Sequence, residues 1–218
     1  MQKIVKNIIE HQNNNNIAIT STSHPPLYYN ELKLLINKIS SQLAANDISN
    51  KDRAAIVLPN GPHMATSFLA ISSYMSAAPL NPNYKAEEFE FYLGDLKPKI
   101  LIVEPNSKNP AVEVAKKLKI PVCEIKTKEN TPSGMFDLFK NTQDFELPNE
   151  EDESLVLHTS GTTSRPKIVP LSNKNIFSSS ENISSSLNLD ENDHCLNIMP
   201  LFHIHGLIAV LASSMKVG

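Results

Sequence analysis

The chain has 218 residues, of which 40% are apolar and 20% charged, and it carries a net charge of −3. This composition supports a substantial hydrophobic core in one large domain or two small ones. The slight acidic excess and the lack of a long basic run disfavour electrostatic binding to nucleic acid or to an anionic membrane. No stretch approaches the ~18 uninterrupted apolar residues of a transmembrane helix, and the N-terminus lacks the apolar segment of a secretory signal.

Helical spacing appears first in "NELKLLINKISSQLAAND", where Leu32, Leu35, Ile36, Ile39 and Leu43 share one face and Asn30 is placed to cap the N-terminus. "RAAIVLPNG" follows as a short buried strand at Ile56, Val57 and Leu58, closed by a Pro-Asn-Gly turn. "HMATSFLAISSYMSA" reads as a helix of small residues and "APLNPN" as a strand and turn. "KAEEFEFYLGDL" reads as a helix with Phe89, Tyr92, Leu93 and Leu96 turned inward. "KILIVE" is a strand, "PAVEVAKKL" a helix and "PVCEI" a strand. This alternation builds a parallel sheet through right-handed crossovers, an α/β fold with flanking helices.

From residue 126 to 153 the pattern fades into a long polar connection, with one short helical piece expected at Met135 to Phe139. The acidic run Glu150 to Glu153 reads as a solvated lead-in. The rhythm then resumes. "SLVLHT" and "KIVPL" are strands, "SNKNIFSSSENISSSL" is a serine-weakened helix, and "HCLNIM" is a strand. "PLFHIHG" is a loop, and "LIAVLASSM" begins a helix. Cys123 and Cys195 stand far apart, in no metal or redox spacing, and read as reduced thiols of a cytoplasmic protein.

Between the strands "LVL" and "IVPL" lies "HTSGTTSRPK", His158 to Lys167. Two readings fit it from the residues alone. One is a tight turn. The other is a phosphate cradle, in which Gly161 frees backbone N–H groups to face an anion, the hydroxyls of Thr159, Ser160, Thr162 and Thr163 add donors, and Lys167 adds charge. It is not a mononucleotide P-loop, because Pro166 and Ile168 occupy the positions of the second glycine and the hydroxyl residue, and a strand follows in place of a helix.

The loop resembles the signature Thr-Ser-Gly-Thr-Thr-Gly-x-Pro-Lys-Gly-Val of the adenylate-forming superfamily, the AMP-dependent synthetases and acyl-CoA synthetases. "TSGTTSRPKIV" fits nine of the eleven positions, counting the free one. "MPLFHIHGL", Met199 to Leu207, and "AAPLNPNYKAEEFEFYLGDLKPKILIV" resemble two further family stretches, so the likeness spans nearly the whole chain. "HTSGTTSRPK" together with "PLFHIHGL" looks most like the oxalate–CoA ligase branch. Ser164 and Ile168 stand where the general signature has glycine, and a β-branched Ile168 would strain any backbone needing positive φ.

The resemblance implies an AMP-forming acid–CoA ligase. Such an enzyme joins a small carboxylic acid, here with oxalate as the candidate, to the α-phosphate of ATP, releases pyrophosphate, and passes the acyl group to coenzyme A. ATP, Mg2+ and coenzyme A are the implied cofactors and partners. Thr159, Ser160, Gly161, Thr162, Thr163 and Lys167 would hold the β- and γ-phosphates. His203 would be the catalytic, substrate-side contact near the acid and the α-phosphate, with Phe202 and Gly206 shaping the pocket. A purely structural histidine is the competing reading of His203. The His203-x-His205 pair supplies two potential metal ligands, which alone make a poor site.

The resemblance also implies that residues 1–218 are the N-terminal portion of the fold, incomplete at its C-terminus. The magnesium-binding glutamate, the ribose-binding aspartate and the C-terminal lid domain with its lysine would lie beyond Gly218. On that expectation the chain alone is inactive, and a peroxisomal address on a longer chain would replace the cytoplasmic one. The alternative is a non-catalytic fragment or pseudoenzyme that keeps an ATP- or anion-binding loop.

Overall fold

The computed structural model describes residues 2–159 and 166–218. A six-stranded sheet forms its centre. The strands are β3 (Arg53–Val57), β4 (Ser76–Pro79), β5 (Ile100–Val103), β6 (Val122–Glu124), β7 (Glu153–His158) and β8 (Ile168–Ser172), in the order β6-β5-β3-β4-β7-β8. The first five run parallel and β8 returns antiparallel to β7. A separate antiparallel hairpin, β1 (Ile17–Ile19) and β2 (Leu27–Tyr28), precedes them. That hairpin and the 3-10 turn Val5–Ile8 have no counterpart in the sequence expectations; both are too short to show a period.

The central strands are buried on both faces, and their residues alternate between two cores as the pleat requires. Ala54, Ile56, Ala77, Ile100, Ile102 and Leu155 face helices α1 (Tyr29–Ala44), α2 (Pro62–Ser72) and α5 (Asn173–Ser186). Ala55, Val57, Ala78, Leu101, Val103 and Val156 face α3 (Ala86–Leu96) and α4 (Pro110–Lys117). The expected inward face of α3 is present, with Phe89, Leu93 and Leu96 buried and Tyr92 partly buried against them.

Four expectations need correction. The N-cap of α1 is Tyr28, whose N–H donates to Glu31; Asn30 lies inside the first turn and its Oδ1 accepts from the Glu31 N–H. Met135 to Phe139 forms no helix. Phe136 and Leu138 are buried, and an isolated bridge joins Asp137 to Lys126. "HCLNIM" forms no strand. Among the described residues it has no sheet partner, Leu196 and Ile198 are 85% and 78% exposed, and the Asn197 side chain bonds nearby backbone groups instead. Finally, the acidic run is more than a solvated lead-in. Glu150 accepts from the Lys3 N–H, Glu151 pairs with Lys174, Asp152 with Lys51, and Glu153 with Arg53.

The segment 126–152 has little regular structure but is tied down. Buried Gln42 on α1 accepts from the N–H groups of Leu138 and Phe139 at 2.9 and 3.3 Å and donates to Asp137 at 3.0 Å. Gln42→Ala leaves two backbone donors without their partner, so it is expected to lower stability by about 2 kcal/mol. Urea unfolding checks this, and a loss below about 0.5 kcal/mol would show that the segment is held by its apolar residues alone.

At the amino ends of β3 and β7 the Arg53 guanidinium forks onto Glu153, with N···O distances of 2.7 and 2.8 Å. Burial pushes the Glu153 carboxyl up, but the Arg53 hydrogen bond and charge outweigh it, and the net pKa lies below the usual 4.5. A depressed carboxylate contributes stability that is present above its unfolded pKa and lost as pH falls through the folded one. Glu153→Gln is therefore expected to flatten the stability profile below about pH 4.5, which pH-dependent urea midpoints would show.

Candidate functional site

Of the sequence-expected site residues, Thr159 and Lys167 lie at the carboxyl end of β7, and the turn bearing Phe202, His203 and Gly206 is tied to the carboxyl side of β3. β7 ends at His158, which pairs with Ile168 across the antiparallel ladder. The ladder continues one step further. The Thr159 N–H donates to the Lys167 carbonyl at 3.0 Å, and the Lys167 N–H donates to Thr159 Oγ1 at 3.2 Å. Thr159 and Lys167 thus form the neck of the loop, and both are exposed. Ser160, Gly161, Thr162 and Thr163, with Ser164, lie outside the described residues. Ile168 sits in β8 and is absent from the positive-φ positions, so replacement of the signature glycine brings no backbone strain there. Pro170 is accommodated because β8 is an edge strand, where a missing N–H costs little.

The neck is anchored to α3 through His158. Its side chain is only 6% exposed, its Nε2 lies 3.0 Å from the Asp95 carboxylate, and its ring meets Tyr92 edge-on at 4.7 Å. Among the described residues no carboxylate pairs with the Lys167 ammonium. The neck therefore presents an unneutralised cation beside a loop rich in donors.

The second group of residues is the turn from Met199 to Gly206. Leu201 and Leu207 are buried in the main core and pin its two ends. Between them His203 and His205 are exposed, and Phe202 is half-buried with its ring 4.7 Å from that of His203. The His203 N–H donates to the Pro200 carbonyl at 3.2 Å, and the Leu207 N–H to the His203 carbonyl at 3.1 Å. The turn runs into a π-helix, His205–Ala212, and then α6 (Ser213–Val217), where the sequence predicts an ordinary helix. The Ser213 hydroxyl donates to the Ile208 carbonyl, five residues back. π-helical turns are rare and often lie at functional sites. His203 and His205 do not share a strand face, and among the described residues no three His, Cys, Asp or Glu side chains converge as metal ligands.

Sequence reasoning missed Asn60, in the Pro-Asn-Gly turn after β3. Its side chain donates to the Met199 carbonyl at 3.4 Å and accepts from the Leu201 N–H at 2.8 Å. It ties the histidine turn to the carboxyl end of β3. β3 and β7 flank β4, so at about 4.8 Å per strand the axes bearing the two site pieces lie on the order of 10 Å apart. No hydrogen bond or ring contact joins the two pieces among the described residues. The only sequence signal for Asn60 was turn chemistry, which gave no hint of a partner 139 residues away.

An α/β sheet covered on both faces, with the Thr159–Lys167 neck and a histidine turn at its carboxyl edge, has the architecture in which open α/β sheets leave room for a ligand. Comparison with known proteins makes this specific: the AMP-binding enzyme family matches residues 9–218, and the chain belongs to that family. It is 42% identical over 195 residues to an oxalate–CoA ligase of Arabidopsis thaliana, covering 84% of this chain and 37% of that protein. It is 36% identical over 196 residues to an oxalate–CoA ligase of Saccharomyces cerevisiae, covering 78% and 36%. The chain thus spans about two fifths of the length of these relatives. Among solved structures, apo MatB from Rhodopseudomonas palustris superposes with a TM-score of 0.85 at 21% identity, over 100% of this chain and 44% of that one, which shows a shared fold.

Gly206 tests the geometry of the turn. A Cβ at this position would stand 2.4 Å from the Pro200 carbonyl oxygen, a backbone atom that cannot swing aside. Gly206→Ala is therefore expected to cost about 1–3 kcal/mol in urea unfolding, as overpacking does. An unchanged midpoint would mean that the turn has room to open.

Proposed function

We propose that this chain provides the ATP-phosphate and acid-side surfaces of an AMP-forming acid–CoA ligase, with oxalate as the candidate acid. The observation that carries the reading is the Thr159–Lys167 neck, from which the family's signature stretch departs at the carboxyl end of β7, beside a lysine that pairs with no carboxylate among the described residues. In the proposed reaction a carboxylate oxygen attacks the α-phosphorus of ATP and the bond to pyrophosphate breaks. The coenzyme A thiol then attacks the acyl carbon and AMP leaves. Ser160, Gly161, Thr162 and Thr163 are assigned with Thr159 and Lys167 to the β- and γ-phosphates, where donors and charge are needed as pyrophosphate departs. His203, beside Phe202 and above Gly206, is assigned to the acid and the α-phosphate. Mg2+ would neutralise phosphate charge when bound; its protein ligands are not assigned within the described residues. The identities to oxalate–CoA ligases support the choice of acid.

Isothermal titration of the 218-residue chain with ATP tests the reading. Saturable binding is expected, and Lys167→Ala is expected to weaken it about tenfold or more, the loss of a charge-assisted contact of roughly 1.5–3 kcal/mol. Failure of the wild-type chain to bind ATP would overturn the assignment. Oxalate-dependent pyrophosphate release, measured in the same samples, separates a chain that forms the acyl-adenylate from a non-catalytic one that only binds the nucleotide.

A further inference from the structure

We propose that Asn60 is a positioning residue for His203, a role that rests on the assignment of His203 to the acid and α-phosphate. The turn bearing His203 contains Pro200, which has no N–H to offer a sheet or helix. Its neighbours need other partners. The Met199 N–H donates to Asn197 Oδ1 at 3.0 Å, and the Asn197 amide donates to the Gly206 carbonyl at 3.3 Å, so Asn197 closes the turn on itself. Asn60 does something different. It straddles Pro200, taking the carbonyl of Met199 with its N–H and the N–H of Leu201 with its oxygen. A carboxamide offers donor and acceptor side by side in one plane, as a peptide does.

The clamp comes from outside the turn. Asn60 follows β3, the strand at the middle of the parallel set, after Leu58 and Pro59, and Gly61 follows with φ of +151°, in a region that favours glycine. Pro62 then starts α2. This abrupt strand-to-helix turn leaves Asn60 projecting from the carboxyl edge of the sheet. His203 is two residues beyond the clamped Leu201, and its own N–H is held by the Pro200 carbonyl inside the clamp. A shift of the clamp is transmitted from Leu201 to His203 across two residues of backbone.

Asn60 is exposed, so its removal is expected to leave global stability nearly unchanged while releasing the turn. The test compares wild type, Asn60→Ala and Asn60→Asp, the last keeping the acceptor for Leu201 but not the donor for Met199. Amide hydrogen exchange over residues 199–207 should be about tenfold faster in N60A, with N60D intermediate, at matched urea midpoints. The His203 ring resonances, followed by NMR while ATP and then oxalate are added, should move in wild type, move less in N60A and recover partly in N60D. Unchanged exchange over 199–207 in N60A, or ligand-induced His203 shifts identical in all three proteins, would overturn the proposal. If His203 does not respond to either ligand even in wild type, the ligase assignment of His203 falls, and Asn60 as its positioning residue falls with it. Faster exchange in N60A would then report a structural clamp alone.

Discussion

The parallel pairing of β3 with β4 on one side and β5 on the other is the constraint from which the rest of the molecule follows. A parallel strand cannot be followed by its neighbour through a tight turn; β3 to β4, β4 to β5 and β5 to β6 are joined by the helices α2, α3 and α4, and β6 reaches β7 through the irregular segment 126–152. With β4 to the right of β3 and β5 to its left, the crossings divide between two faces: α2 lies with one core, α3 and α4 with the other. Chain reversals are thereby sorted to two edges. The carboxyl edge receives Asn60 after β3 and Thr159 after β7, and the divergence of connections there is the place where open α/β sheets leave room for a ligand.

The amino edge has the opposite character. Arg53 and Glu153 start their strands as a forked pair, and Asp152 and Glu151 engage Lys51 and Lys174. Glu151, Asp152 and Glu153 at that edge are each matched by a cation. At the carboxyl end of β7 the Asp95 carboxylate is engaged by His158, and among the described residues no carboxylate pairs with Lys167. β7 thus runs from the Arg53–Glu153 ion pair at its amino end to the Thr159–Lys167 neck at its carboxyl end.

Helices with a clear period and short uninterrupted apolar runs were legible in the sequence, because a period reports which side is buried and a run of this length suits a strand buried on both faces. The inward face of α3 and the strands "IVL", "ILIV" and "LVL" follow from residues such as Phe89, Ile102 and Val156. What escaped depends on partners distant in the chain. "HCLNIM" has strand chemistry, but a strand exists only against another backbone, and none of the described residues offers one. Met135 to Phe139 has helical spacing, yet Gln42 takes the backbone donors of Leu138 and Phe139 that a helix would need. The neck residues Thr159 and Lys167 and the histidine turn were visible through their family resemblance. Asn60 was not, since a Pro-Asn-Gly turn is explained well enough by turn chemistry alone.

The glycines show how the same residue carries two different constraints. Gly61 is needed for its backbone angle, so a side chain there would be strained even though no atom lies within 4 Å of a built Cβ. Gly206 has no such angle and is needed for space, since the Pro200 carbonyl lies where its Cβ would stand. One glycine frees the chain to leave β3 and point Asn60 outward; the other lets the π-helix close onto the backbone that Asn60 holds. The position of His203 is therefore set from both sides by backbone contacts, one made through a carboxamide and one through the absence of a side chain. Neither contact uses the imidazole itself, so the backbone of the turn is held independently of the exposed His203 ring.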